Sequence, residues 1–185
     1  MTDDRDLTPP RTTLSTTWLE GCSGCHMSFL DLDERLLEVH ALADLVYSPL
    51  VDMKDYPDHV DVCLVEGGVS TEDDLVKIRM LREGTTTLVA LGDCAVTTNV
   101  PGMRNPIGLG PLFERAYIET ADINPSYPDR IVPKHLPKVL PVHKVVHVDV
   151  FLPGCPPSAD VIYDALMHLL DGRPQRDVHV ARFGR

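Results

Sequence analysis

The chain has 185 residues, 43% of them hydrophobic and 24% charged, the composition of one soluble globular domain. At that length a fold buries roughly 70% of the unfolded chain's surface, so a core needs no disulfide or metal to hold it. Seventeen basic against 28 acidic residues leave a net charge of −11, which excludes nucleic acid as the natural partner, and no apolar run approaches the ~18 residues of a membrane helix. The opening residues, MTDDRDLTPPRTT, carry neither an apolar signal core nor a twin arginine, which predicts a cytoplasmic protein. Residues 1–11 are expected to be an acidic N-terminal tail and residues 12–185 one domain.

Thr12 to Leu19 is β-branched and reads as a first strand, ending in the loop Glu20-Gly21-Cys22-Ser23-Gly24-Cys25. Ser28 is expected to cap the next helix, with Asp31 three residues on and Phe29, Leu32, Leu36 and Leu37 on one face. Val39 to Tyr47 is a second apolar run, and Val60 to Val65, closed by Glu66-Gly67-Gly68, is the clearest strand. Thr71 opens a helix whose first turn, Glu72-Asp73-Asp74, places negative charge where the helix dipole favours it. Leu75, Ile78 and Leu81 form its buried stripe, and Gly84 ends it. Thr87 to Leu91 gives a fourth strand before Gly92-Asp93-Cys94, and Val145 to Leu152 a fifth before Pro153-Gly154-Cys155-Pro156-Pro157. Ser158 caps a last helix with Val161, Ile162, Ala165, Leu166 and Leu169 facing inwards.

Near-continuous apolar strands alternating with amphipathic helices argue for a parallel sheet covered on both faces. The expected fold is α/β: a flavodoxin-like or Rossmann-like doubly wound sheet of about five strands in a single domain. The alternation breaks between about Ala95 and Lys144, a proline-rich insertion before the last strand that holds eight of the 16 prolines and one short helical segment, Pro111 to Glu119. A loop that long in a compact domain is usually functional or docked on something else. Ile131, Val132, Leu136, Val139 and Leu140 thread through its second half and favour an interface loop over a disordered linker.

Of the five cysteines, Cys22 and Cys25 follow strand one, Cys94 follows strand four and Cys155 follows strand five. Open parallel sheets bind ligands beyond the carboxyl ends of their strands, so these four thiols are expected to converge on one sheet edge. Cys63 lies inside a strand and reads as a small core hydrophobe. Zinc in a four-cysteine site is one occupant of such a set, but structural zinc sites usually pair two Cys-x-x-Cys units, and only one is present. An iron–sulfur cluster fits better, because a cubane several ångströms across takes thiolates from separated loops. Gly21, Gly24, Gly92 and Gly154 beside the ligands let backbone approach closely and offer N–H groups to the sulfides. A thioredoxin-like dithiol would leave Cys94 and Cys155 without a role.

Four pieces in chain order resemble the small subunit of nickel–iron hydrogenases: Trp18-Leu19-Glu20-Gly21-Cys22-Ser23-Gly24-Cys25, Val65-Glu66-Gly67-Gly68-Val69, Gly92-Asp93-Cys94-Ala95 and Leu152-Pro153-Gly154-Cys155-Pro156-Pro157. The resemblance implies that Cys22, Cys25, Cys94 and Cys155 hold one proximal 4Fe-4S cluster on a flavodoxin-like domain. It also implies that the nickel–iron centre sits in a separate large subunit. Many members of that family continue into a second domain with two more clusters, preceded by a twin-arginine signal. This chain ends 30 residues after Cys155 without spare cysteines for them, and is expected to be the short, cytoplasmic form. Cys25-His26-Met27-Ser28-Phe29-Leu30-Asp31 is similar to the NAD-reducing, bidirectional soluble hydrogenases, whose electrons pass to a diaphorase carrying FMN and iron–sulfur clusters.

The cluster subunit of NADH:quinone oxidoreductase shares this ancestry but has adjacent cysteines in the first motif, where Ser23 and Gly24 here separate Cys22 from Cys25. The implied activity is that of a hydrogen:NAD+ oxidoreductase subunit, with no catalytic residue of its own for hydrogen cleavage. The alternatives are an NADH:quinone oxidoreductase-type subunit and a non-redox scaffold holding zinc on the four cysteines. Glu20, His26, Glu66 and Gly92 are the candidates for supporting the cluster from behind the cysteines. His143 and His147 flank a strand without partners for a metal site, and are expected at a surface or interface.

Overall fold

A computed structural model describes residues 11–171. Five strands form one parallel sheet: β1 (Thr12–Trp18), β2 (Ala43–Tyr47), β3 (Val60–Glu66), β5 (Thr85–Leu91) and β7 (Val150–Leu152). Their spatial order is β2-β1-β3-β5-β7, the flavodoxin-type winding, with its switch point between β1 and β3. The expected α/β class and single domain are observed. Register aligns the strand ends: Trp18 lies opposite Glu66, Glu66 opposite Leu91, and Leu91 opposite Leu152. Four chain segments therefore leave the sheet from one row.

Period-two alternation sends successive side chains to opposite faces. Leu64 joins Leu14, Val89, Ile162 and Leu166 on one face, under α1 (Gly24–Leu30), α2 (Arg35–Leu42) and α7 (Ala159–Asp171). Cys63 and Val65 join Leu88, Ala90, Ile78 and Leu81 on the other, under α3 (Glu72–Glu83) and α4 (Gly92–Thr97). Cys63 is fully buried beside Ser15, Tyr56 and Thr85, as expected for a core thiol. α3 starts as anticipated: Thr71 Oγ1 accepts from Asp74 N–H at 3.1 Å, and the Asp74 carboxylate accepts from Thr71 N–H at 2.9 Å.

Several boundaries differ from the sequence expectation. Ser28 caps nothing: helix α1 begins at Gly24, and Ser28 Oγ donates to Pro157 O at 2.5 Å. Leu37 points to solvent, 73% exposed. The second apolar run divides, because Val39 sits in α2 and packs against the face covered by α7, leaving only Ala43–Tyr47 extended. The fifth strand starts at Val150, not Val145, because residues 142–144 form a 3-10 turn that turns Val142, Val145 and Val146 into the core instead of along the sheet.

The insertion is more regular than expected. After α4 come α5 (Asn99–Gly102), α6 (Leu109–Phe113) and a π-helical turn, Glu114–Glu119. Strand β6 (His135–Leu140) then pairs antiparallel with the short β4 (Val69–Thr71) in a two-stranded ribbon. Val139 is thereby buried, whereas Ile131 and Val132 stay exposed. Of the expected N-terminal tail, only Arg11 falls among the described residues, paired with Asp44 at 3.1 Å. Among the described residues no helix is long and apolar enough to cross a membrane.

Candidate functional site

The row of strand ends carries the chemistry. Beyond β1, Leu19 N–H donates to Glu66 O at 2.8 Å, and Glu20 and Gly68 exchange two backbone hydrogen bonds of 3.0 and 2.7 Å. This stitching requires Gly67, whose φ is +93° and where a Cβ would lie 2.7 Å from Glu20 O. The stitched segment delivers Cys22 to the surface and Cys25 to a buried place at the start of α1. Glu66, 1% exposed, fastens the loop from beneath. Its carboxylate accepts from Cys25 N–H at 3.4 Å, from His26 N–H at 3.1 Å, and shares a 2.5 Å hydrogen bond with His26 Nδ1. The His26 ring also meets the Trp18 ring edge-on at 5.2 Å.

Beyond β5, Gly92 turns the chain at φ +81°, and a Cβ there would stand 2.2 Å from Cys25 Sγ. Only glycine lets the backbone pass that thiol. Asp93 then joins the β5 and β7 exits: its N–H donates to Gly154 O, and its carboxylate accepts from Gly154 N–H, both at 2.8 Å. Cys94 is buried in the first turn of α4, while exposed Cys155 accepts from Asn99 Nδ2 at 3.2 Å.

Cys22, Cys25, Cys94 and Cys155 are within electrostatic reach of one another. Burial, Glu66 and the other three thiols together push the Cys25 thiol far above its usual range. Burial likewise raises Cys94, with Cys155, Cys22 and Glu66 adding to it and the Val100 N–H opposing it. Four such sulfurs are hard to ionise together unless a positively charged partner neutralises them. Among the described residues no three His, Cys, Asp or Glu side chains close on a point where one metal ion could sit. Glu20 Oε2, His26 Nε2 and Asp93 Oδ2 are buried around this edge without a hydrogen-bond partner. A soft donor set spread over three loops, with a glycine-cleared wall and N–H donors aimed at sulfur, suits a multi-iron sulfide cluster in size and chemistry.

The structure thus brings together all four cysteines and three of the supporting candidates, Glu66, His26 and Gly92. Glu20 sits half-buried at the rim, where it also lines an open groove with Leu19, Thr71, Lys77 and His135. His147 is exposed and pairs with Asp149 at 3.3 Å, and His143 lies at the surface. Sequence reading missed Asp93 and Asn99. Asp93 stood inside one of the four family-like pieces without a role, and Asn99 was signalled only by a run, Thr-Asn-Val-Pro-Gly, that reads as a turn.

Comparison with known proteins agrees with this fold. The family described as NADH ubiquinone oxidoreductase, 20 Kd subunit, matches residues 22–169. The NAD-reducing hydrogenase HoxS subunit delta of Cupriavidus necator is 40% identical over 168 residues, 87% of this chain and 79% of that protein. A subunit of the F420-non-reducing hydrogenase vhu of Methanococcus voltae is 40% identical over 156 residues, 83% of this chain, which spans about half (54%) of that relative's length. An NAD+-reducing NiFe hydrogenase solved in its H2-reduced state superposes with a TM-score of 0.85 at 36% identity, covering 90% of this chain and 95% of that one. NiFeSe hydrogenase from Dm. baculatum, at 18% identity and TM-score 0.56 over 89% of this chain and 65% of that one, shares the fold. The chain belongs to the 20 Kd-subunit family and, within it, to the small subunits of NAD-reducing nickel–iron hydrogenases, which makes it a subunit of an oxidoreductase complex.

Proposed function

We propose that this chain is the electron-transfer small subunit of its hydrogenase complex, holding one 4Fe-4S cluster on Cys22, Cys25, Cys94 and Cys155. Electrons would pass through it between the nickel–iron site of a large subunit and an NAD(P)-linked diaphorase carrying flavin and iron–sulfur clusters. The observation that carries this reading is the convergence of four thiols from three loops at the switch-point edge, each loop leaving the same row of strand ends. The cluster supplies one-electron storage. The chain supplies position and surroundings: Glu66 and His26 fix the Cys22–Cys25 loop, Gly92 clears its wall, and Asp93 fixes the distance between the Cys94 and Cys155 loops. The likeness to an NAD+-reducing NiFe hydrogenase supports a nickel–iron partner.

The matched family's own description favours a second reading, a cluster subunit of an NADH:quinone oxidoreductase-type complex. Composition of the anaerobically purified complex decides between them. A nickel-containing large subunit with a flavoprotein that reduces NAD supports the hydrogenase reading, and a quinone-linked membrane arm overturns it. Relative to the unmodified complex, a Cys94→Ala complex should lose iron and acid-labile sulfide in equal amounts, whereas loss of zinc with sulfide unchanged defeats both redox readings. Cys94→Ala is expected to abolish the cluster's electron paramagnetic resonance signal, and its persistence would break the ligand assignment.

A further inference from the structure

The segment that follows Cys94 is built to a shape that helix formation does not require. Thr98 and Asn99 are both left-handed, at φ +75° and +29°, although a β-branched threonine disfavours that conformation. The turn is anchored on the Cys94 peptide itself, since Thr98 N–H donates to Cys94 O at 3.1 Å. Gly102 N–H closes it by donating to Thr98 O at 3.0 Å, and a Cβ at Gly102 would strike Thr98 Oγ1.

The far end of the turn is clamped to the β4/β6 ribbon. Asn105 Nδ2 donates to Val139 O at 3.0 Å, and Val139 N–H donates back to Asn105 Oδ1 at 2.8 Å. Buried Arg104 donates to Leu136 O at 3.0 Å and to Ser70 O at 3.2 Å. Strain held so firmly at both ends points to what the turn delivers. It delivers a donor to a sulfur: Asn99 Nδ2 donates to Cys155 Sγ at 3.2 Å, a contact that depends on asparagine.

We propose that Asn99 is a positioning residue that sets the reduction potential of the cluster, by donating a hydrogen bond to the Cys155 thiolate from a strained turn clamped by Arg104 and Asn105. The proposal rests on the cluster-ligand reading above. One electron enters the cluster from the reduced partner, no bond at Asn99 forms or breaks, and no proton moves there. The added negative charge spreads over the sulfurs, so a donor fixed on one of them favours the reduced state. Removing the donor lowers the potential. The Gly92 and Glu66 contacts around Cys25 do not involve Asn99 and are untouched by its replacement.

The test is a mediated redox titration of the intact complex, dithionite as reductant, read by electron paramagnetic resonance, comparing the unmodified protein with Asn99→Ala and Asn99→Asp. Aspartate keeps the shape and tolerance of the left-handed turn, loses the N–H donor and places a carboxylate at the sulfur. Both variants are expected to retain iron and sulfide. Asn99→Ala should shift the ratio of reduced to oxidised cluster roughly threefold to tenfold towards oxidised at the unmodified midpoint, tenfold being about 60 mV for one electron. Asn99→Asp should shift it further the same way. An unchanged potential with the cluster retained overturns the proposal, as does loss of the cluster in both variants, which would make Asn99 a folding residue. Failure of the underlying reading is a separate result: Cys94→Ala would leave every iron–sulfur signal of the intact complex unchanged.

Discussion

Glu66 shows how one side chain can organise a loop that shares no strand with it. Fully enclosed at the end of β3, it receives three donors from Cys25 and His26 across about 40 positions of sequence. Its place at the mouth of a strand was legible from the Val-Glu-Gly-Gly run, because a run of apolar residues followed by glycines marks a strand end. Its partner was not legible, since only the β1–β3 register brings the Cys-x-x-Cys loop over it. Glu66→Ala would leave those donors buried and unpaired, which costs about 2–4 kcal/mol. Denaturant unfolding should show that loss, and Glu66→Gln, which keeps one acceptor oxygen, should lose less. Asn99 was hidden for a different reason: its function lies in a left-handed backbone that no spacing rule announces.

At the level of elements, the sequence marked helix α3 well because its signals are local: a capping box within four residues and a glycine stop. The ribbon was hidden because β4 has three residues, and β6 carries Pro137, which lacks the N–H that a strand normally donates. The entry to β7 escaped for a similar reason, its valines being shared between a turn and three paired residues.

What replaces a longer β7 is a side-chain tie. Asp149 accepts from Leu88 N–H at 2.8 Å and from Arg82 Nη1 at 2.5 Å, joining the end of α3 to both strands. Burial works to raise its pKa, but the Leu88 N–H and the Arg82 guanidinium outweigh burial and hold it below the usual 3.8. A carboxylate depressed by folding stabilises above its unfolded pKa, and that contribution is lost as pH falls through the folded value. Asp149→Asn should therefore cost about 1 kcal/mol at neutral pH. Unfolding curves for the two proteins should converge as pH drops below 3.8.

For the molecule as a whole, the two faces of the sheet are separate cores joined through a single layer of strands. Fold class was readable from the chain because near-continuous apolar strands can only be satisfied by helices on both sides. The winding order was not, since local pattern is silent about which strand lies beside which. Leu166 and Leu81 are fully buried on opposite faces. Truncating either to alanine should cost about 2–5 kcal/mol. Because both cores share β1, β3 and β5, each variant should still unfold in one transition by circular dichroism and fluorescence. Two separated transitions would show the faces to be independent.

The paired hydrogen bonds between Asp93 and Gly154 bear on biogenesis. They tie the exits of β5 and β7 with protein atoms alone, so the spacing of the Cys94 and Cys155 loops does not wait for a metal. On the cluster reading proposed above, assembly would put polypeptide before cofactor, the two loops already standing at their spacing when iron and sulfide arrive.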